Sequence, residues 1–205
     1  MELYPQLDSY VQELEQEFDQ IPQERKVVLV KLADYTRKKL AAGKAAQFNF
    51  ICTHNSRRSH LSQIWAQAAA AFYDVAGVQC YSGGTEATAF NPWAVKAMHE
   101  AGFRIETLEQ GDNPLYSVAF AEGAAPVKAW SKRFDDKANP ASDICAVMTC
   151  SDADQNCPFV PGVELRLPVT YDDPKNFDDT PQEARKYSER VRQIGREMLY
   201  AFSLV

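Results

Sequence analysis

The chain has 205 residues, 45% of them hydrophobic, with five cysteines and a formal net charge of −6. That is enough apolar material for one α/β domain with a sizeable core plus an embellishment. The acidic balance argues against nucleic acid or an anionic membrane as partner, no stretch approaches the apolar length of a transmembrane helix, and the polar, acidic N-terminus does not read as a signal peptide. A cytoplasmic location is therefore expected, and an odd number of cysteines fits thiols in a reducing compartment better than a secreted disulfide framework.

Residues 1–45 read as an N-terminal helical extension, and residues 46–205 as the main domain. Leu7, Tyr10, Val11, Leu14 and Phe18 share one helical face, while Glu13, Glu15 and Glu17 lie on the others. Pro22 suits a first helical turn, and Val28, Leu29, Leu32, Tyr35 and Leu40 mark a second helix ending in Arg37-Lys38-Lys39 and Gly43. The plain reading is a packing cap on the core. The functional alternatives are a homodimer element or a lid over a site.

The main domain opens on Gln47–Trp65, in which Phe48, Phe50 and Ile51 suit a buried strand and Leu61, Ile64, Trp65 and Ala68 have helical spacing. A strand thus delivers Cys52 into a loop that opens a helix. Such a loop turns free backbone N–H groups and the positive dipole end toward an oxyanion or a thiolate. Five residues separate Cys52 from Arg58, long enough for sulfur and guanidinium to face one tetrahedral anion, which the planar Arg fork grips through two oxygens. These groups, with Arg57, favour the ionised sulfur and make Cys52 a nucleophile. Ser59 is positioned to donate a hydrogen bond to it, and Asn55 to bridge backbone groups across the loop.

A helix over Ser59 to Tyr73 precedes a strand from Val78 to Tyr81, then Ser82-Gly83-Gly84-Thr85-Glu86 and Asn91-Pro92-Trp93-Ala94. Gly83 and Gly84 permit close backbone approach to the anion loop, with Ser82 beneath it as structural support. Pro92 starts a helix to about Ala101, and Arg104-Ile105-Glu106 is read as a short edge strand. His60 and His99 are read as surface histidines on helices. Residues 111–142 are irregular, with a short helix expected over Ala129 to Phe134, and read as an insertion beside the site. Asp143 to Cys150 is a buried parallel strand, followed by the polar run Ser151-Asp-Ala-Asp-Gln-Asn-Cys157. A further strand from Glu164 leads to Asp172-Asp173-Pro174, by itself a turn, and Thr180 to Phe202 is a terminal amphipathic helix.

Cys52, Thr53, Asn55, Ser56, Arg58 and Ser59 resemble the anion loop of the low-molecular-weight protein tyrosine phosphatase superfamily, and within it the thioredoxin-coupled arsenate reductases, whose loop reads Cys-Thr-Gly-Asn-Ser-Cys-Arg-Ser. Thr53, His54, Asn55, Ser56, Arg57 and Ser59 then correspond to substrate-binding positions. His54 stands where the family has Gly, at a place expected to want positive φ, and Arg57 replaces a second loop Cys. The Ser82-Gly83-Gly84-Thr85-Glu86 and Asn91-Pro92 stretches also resemble the family, as does Cys150-Ser-Asp-Ala-Asp-Gln-Asn-Cys157-Pro. The implied fold is a four-stranded parallel sheet flanked by helices, a Rossmann-like doubly wound form, with the N-terminal helical hairpin and the 111–142 segment as additions to it.

The implied activity is reduction of arsenate to arsenite. Cys52 takes the oxyanion, Cys150 attacks Cys52, Cys157 resolves the Cys150 disulfide, and thioredoxin regenerates the thiols. The resemblance makes Asp173, directly before Pro174, the general acid, with Asp172 as fallback. The alternative is hydrolysis of phosphomonoesters, phosphotyrosine included, through a cysteinyl-phosphate; Lys175 and Asn176 stand where the tyrosine enzymes carry an aromatic pair. A third reading is a non-catalytic oxyanion or thiol-redox sensor. No cofactor and no metal are expected: Cys150 and Cys157 lack zinc-site spacing and no His follows them. Cys80 and Cys145 read as inert core thiols.

Overall fold

The computed structural model describes residues 1–156, 160 and 162–205. Four parallel strands form the central sheet: β1 (Ala46–Cys52), β2 (Val78–Gly84), β6 (Ile144–Met148) and β7 (Val163–Pro168), in the order β2-β1-β6-β7. All five β6 residues are buried, as the unbroken apolar run requires of a strand covered on both faces. Side chains alternate between those faces. Phe48, Phe50, Cys145 and Val147 join the large core, whereas Ile51, Ala146 and Met148 join a smaller cluster with Phe134 and Ala153.

The large core is closed by α1 (Pro5–Glu15), α2 (Gln23–Ala41), α3 (Arg58–Phe72), α4 (Pro92–Glu100) and α6 (Glu183–Phe202). Here α6 is central, packing against the other four. It passes α3 closely at Gly195, where a Cβ would lie 2.8 Å from the Trp65 ring and 2.9 Å from Leu14 Cδ1. Glycine lowers helix propensity but is what permits this contact. Trp65 is fully buried, stacked on Tyr10 at 6.0 Å and edge-on to Phe103 at 4.9 Å.

The N-terminal hairpin forms as the spacing predicts, with a 3-10 turn at Phe18–Gln20 between its helices. Its apolar residues Leu7, Val11, Leu14, Leu29 and Leu32 are buried within the chain. Arg192 and Arg196 of α6 pair with Glu17, and Arg25 of α2 pairs with Glu197, whose side chain is only 2% exposed. No residue of 1–45 lines the cavity over Cys52, and the hairpin packs as a cap on the core.

The structure adds detail to the sequence reading and departs from it in places. Arg104 to Glu106 is an edge strand as expected, within a separate sheet: β3 (Arg104–Glu109) pairs antiparallel with β4 (Leu115–Ala119), which pairs with β5 (Val127–Ala129). The segment after Ala129 is not helical. Its backbone is taken by partners distant in sequence, since Ser131 N donates to Asn113 Oδ1, Lys132 N to Asn55 Oδ1 and Phe134 N to Gly84 O. Tertiary hydrogen bonds here override local propensity. The run after Cys150 is a short helix, α5 (Ser151–Asn156), while Cys157 lies outside the described residues. Helix α6 starts at Glu183, three residues later than expected. Among the described residues no helix is long and apolar enough to cross a membrane.

Because Leu14 is fully buried against α6, truncating it leaves a cavity in the main core. Leu14→Ala is expected to lower the unfolding free energy by about 2–5 kcal/mol in one cooperative urea transition. A separate early transition would show instead that the hairpin unfolds independently.

Candidate active site

Parallel pairing brings the C-terminal ends of β1 and β6 side by side, with Ile51 opposite Met148, so Cys52 and Cys150 leave the sheet at one end. Between Cys52 and Arg58 the chain folds into a loop whose carbonyls are held from outside. Cys52 O accepts from Thr85 N, Thr53 O from Glu86 N, His54 O from the Thr88 and Ser131 hydroxyls, and Ser56 O from Asn91 N. With those carbonyls engaged, the inward side is left to N–H groups at the start of α3, the arrangement that favours an anion. Gly84 is required where β2 passes, since a Cβ there would lie 2.6 Å from Asn55 N and 2.7 Å from Thr53 O.

Ser59 is the hub of the loop. Asn55 Nδ2 donates to Ser59 Oγ at 2.8 Å, and that oxygen lies 3.1 Å from Cys52 Sγ. With a lone pair taken by the amide, the hydroxyl proton is directed to the sulfur. Asn55 Oδ1 in turn accepts from Lys132 N at 2.9 Å. The left-handed residue of the loop is Asn55, with φ of +44°, and not His54. The expected strain at His54 is therefore absent, and Asn tolerates this region better than most side chains.

The cavity over the sulfur is lined by Cys52, His54, Ser56, Arg57, Arg58 and Asp173, and its volume is only about 10 Å³. Arg58 explains the closure. Its guanidinium donates to the Asp173 carboxylate and, at 2.9 Å, to Tyr171 O, while its buried Nε has no partner among the described residues. Asp173 also accepts from Lys175 N and caps the 3-10 turn Pro174–Phe177. Asp172 is turned outward beside Arg190, so the two neighbouring aspartates are separated by environment. Arg25, on α2, donates to Thr170 O at 3.0 Å and lies 4.7 Å from the Tyr171 ring centroid. Through this residue the hairpin braces the segment that carries Asp173.

Other expected residues have partners beyond the cavity. The Arg57 guanidinium is tied to the Tyr187 hydroxyl at 2.7 Å and Asp178 at 3.2 Å, which offsets its charge and joins the start of α3 to α6. Burial pushes the Tyr187 phenol up to about 12. Thr53 turns its hydroxyl away from the cavity, donating to Asp152 at 2.8 Å and lying 3.6 Å from Cys150 Sγ. Ser82 does not support the loop from beneath, because its hydroxyl faces His60 Nδ1 at 3.4 Å. His60 itself is fully buried and stacked on Phe90 at 4.3 Å, and burial holds its imidazole well below the usual range, so the surface reading fails. His99 is exposed, as expected, while His54 sits at the rim with Nε2 3.7 Å from Glu86.

Cys150 is buried and accepts a hydrogen bond from Ala153 N at 3.3 Å, so its sulfur takes the position of a helix cap on α5. It shares the smaller apolar cluster with Cys52. Cys80 and Cys145 are also free thiols, pushed up by burial in the strands. Sequence reading missed Thr88, Ser131, Lys132 and Tyr171. All four act through a hydroxyl or backbone group on an irregular segment, which leaves no periodic signal; Asn91, which caps α4 through Oδ1, stands directly before Pro92.

No protein-family model matches the chain. It is 32% identical over 152 residues to an arsenate reductase of Bacillus subtilis strain 168, an alignment covering 73% of this chain and 89% of that protein. It is 33% identical over 127 residues to arsenate reductase 2 of Staphylococcus epidermidis strain RP62A, covering 61% of this chain and 76% of that one. Two solved structures share the fold. A low-molecular-weight protein tyrosine phosphatase from Bacillus subtilis matches with a TM-score of 0.51 at 13% identity, covering 77% of this chain and 95% of that one. A low-molecular-weight phosphotyrosine phosphatase from Vibrio cholerae O395 matches with a TM-score of 0.50 at 12% identity, covering 76% and 94%. The chain belongs to the arsenate reductase family, and its fold is the one seen in low-molecular-weight protein tyrosine phosphatases.

Proposed function

We propose that this protein is an enzyme that reduces arsenate to arsenite through three thiols, and that a dithiol protein of the thioredoxin type regenerates it. The observation that carries this reading is Cys150: a plain phosphatase has no use for a second cysteine capped by Ala153 N beside the Cys52 loop. The named arsenate reductases among its relatives support the same substrate.

In this mechanism arsenate enters as Asp173 leaves the Arg58 fork, so Arg58 exchanges one oxyanion for another. The freed Asp173 carboxyl then stands at the cavity rim with the leaving oxygen. Cys52 sulfur attacks arsenic, an S–As bond forms, and an arsenic–oxygen bond breaks, its oxygen departing as water with a proton from Asp173. Ser59 and the loop amides hold the negative charge of the sulfur beforehand and of the oxyanion afterwards. Cys150 thiolate next attacks Cys52 sulfur; the S–As electron pair passes to arsenic, As(V) becomes As(III), and arsenite departs. Cys157 then attacks Cys150, freeing Cys52, and the Cys150–Cys157 disulfide accepts two electrons from the dithiol donor.

A phosphatase reading is favoured by a different observation. Cys52, Arg58 and Asp173 meet around one small cavity without the other cysteines, and arsenate and phosphate are near-isosteric. Water would then hydrolyse a cysteinyl-phosphate with Asp173 as base. The sensor reading loses its motive, because His54 is not at a strained φ.

Two measurements test these roles. With NADPH, thioredoxin and thioredoxin reductase, the parent should oxidise NADPH in an arsenate-dependent way, and Cys52→Ser, Cys150→Ser and Cys157→Ser should each abolish it. Hydrolysis of p-nitrophenyl phosphate should survive in Cys150→Ser; arsenate turnover that also survives there would exclude the relay. Asp173→Asn removes both the acid and the carboxylate that competes for Arg58. Its kcat should fall by about 10²–10⁴ while inorganic phosphate binds more tightly than to the parent; looser phosphate binding would show that Asp173 organises the anion site instead of competing for it.

A further inference from the structure

A second cavity, of about 650 Å³, shares no lining residue with the one over Cys52. Its walls come from α3, β2 and the 120–132 segment, and include Phe120, Pro126 and Trp130. Two polar side chains in it lack a full set of direct partners among the described residues. Lys132 is 4% exposed, its Nζ lies 4.2 Å from the Trp130 ring centroid, and it makes no ion pair or side-chain hydrogen bond among the described residues. A largely buried cation without a direct ion-pair partner is costly, and an anion beside it would reduce that cost. Burial pushes its amine down to about 8, with the Asp136 carboxylate acting in the opposite direction, so it is still largely charged at neutral pH. Gln63, also 4% exposed, donates Nε2 to Cys80 O at 3.1 Å, but its buried Oε1 accepts nothing among the described residues.

We propose that this cavity binds a small aromatic carboxylate bearing a hydroxyl or amino donor. The carboxylate sits on Lys132, the donor satisfies Gln63 Oε1, and the ring lies against Trp130 and Phe120. The site is tied to the anion loop through backbone, because Lys132 N donates to Asn55 Oδ1 and Gly84 N donates to Lys132 O. From Asn55 the chain of hydrogen bonds continues to Ser59 and Cys52. An occupant that shifts Lys132 therefore changes the loop, and anions in the loop change its affinity by the same factor. This site stands apart from the reaction assigned to Cys52, because binding alone reports it.

The test is a ¹⁵N NMR titration of the full chain with 4-hydroxybenzoate and 4-aminobenzoate. Saturable shifts of the Trp130 indole N–H and the Gln63 side-chain amide are expected, persisting in saturating inorganic phosphate. The uncharged 4-hydroxybenzamide, and 4-hydroxybenzoate with Lys132→Met, should each bind at least about tenfold more weakly, the loss of one charge-assisted hydrogen bond. Absence of saturation with both acids, or equal binding of acid and amide by the parent, would each overturn the proposal. The acid and amide comparison uses only the parent, so it holds even where Lys132→Met disturbs folding.

Discussion

The structure depends on one constraint: the carbonyls of the Cys52 loop are held outward, so that its N–H groups and Ser59 can face inward. A loop of this length has no secondary-structure ladder of its own, and each backbone group needs a partner. Thr85, Glu86, Thr88, Asn91 and Ser131 supply them from β2, the approach to α4 and the segment after β5. The close approach at Gly84, the left-handed Asn55 and the extended course of 130–134 all follow from meeting that demand.

The same arrangement explains why the site is small and closed. Arg58 has a strong fork and a carboxylate within reach, and a charge-assisted contact is stronger than a neutral one. Asp173 therefore sits where an oxyanion is proposed to bind. Holding Asp173 there requires a braced segment, and the brace comes from Arg25 on the N-terminal hairpin and from the Arg57–Asp178–Tyr187 cluster. A hairpin that looks like an addition to the fold thus reaches the chemistry through one residue. Glu197, buried at the other side of Arg25, would be left as an uncompensated charge if that residue were lost, so the brace is also a stability element.

Cys150 illustrates how far spacing carries an argument. Its place at a strand end beside Cys52 was readable, since an apolar run of that length is a buried parallel strand and parallel neighbours end together. That its sulfur would be capped by Ala153 N was not readable, because the following polar run carries no helical periodicity. Thr53 shows the converse. It matches the family motif at a position expected to bind substrate, yet its hydroxyl faces Asp152 and Cys150, because adjoining residues in an extended segment point to opposite sides.

By itself the sequence determined the four strands, the main helices and the meeting of Cys52, Ser59, Asn55 and Arg58, because these rest on local periodicity and on spacing within twelve residues. Tertiary structure alone decided the rest. Arg57 was drawn to Tyr187 and Asp178, Ser82 was turned to a buried His60, and the 130–134 segment was pulled straight by Asn55 and Gly84. In each case the partner lies more than twenty residues away, and a distant hydrogen bond made in a dry interior outweighs the few tenths of a kcal/mol, on the order of 0.5 per residue, that local preference offers.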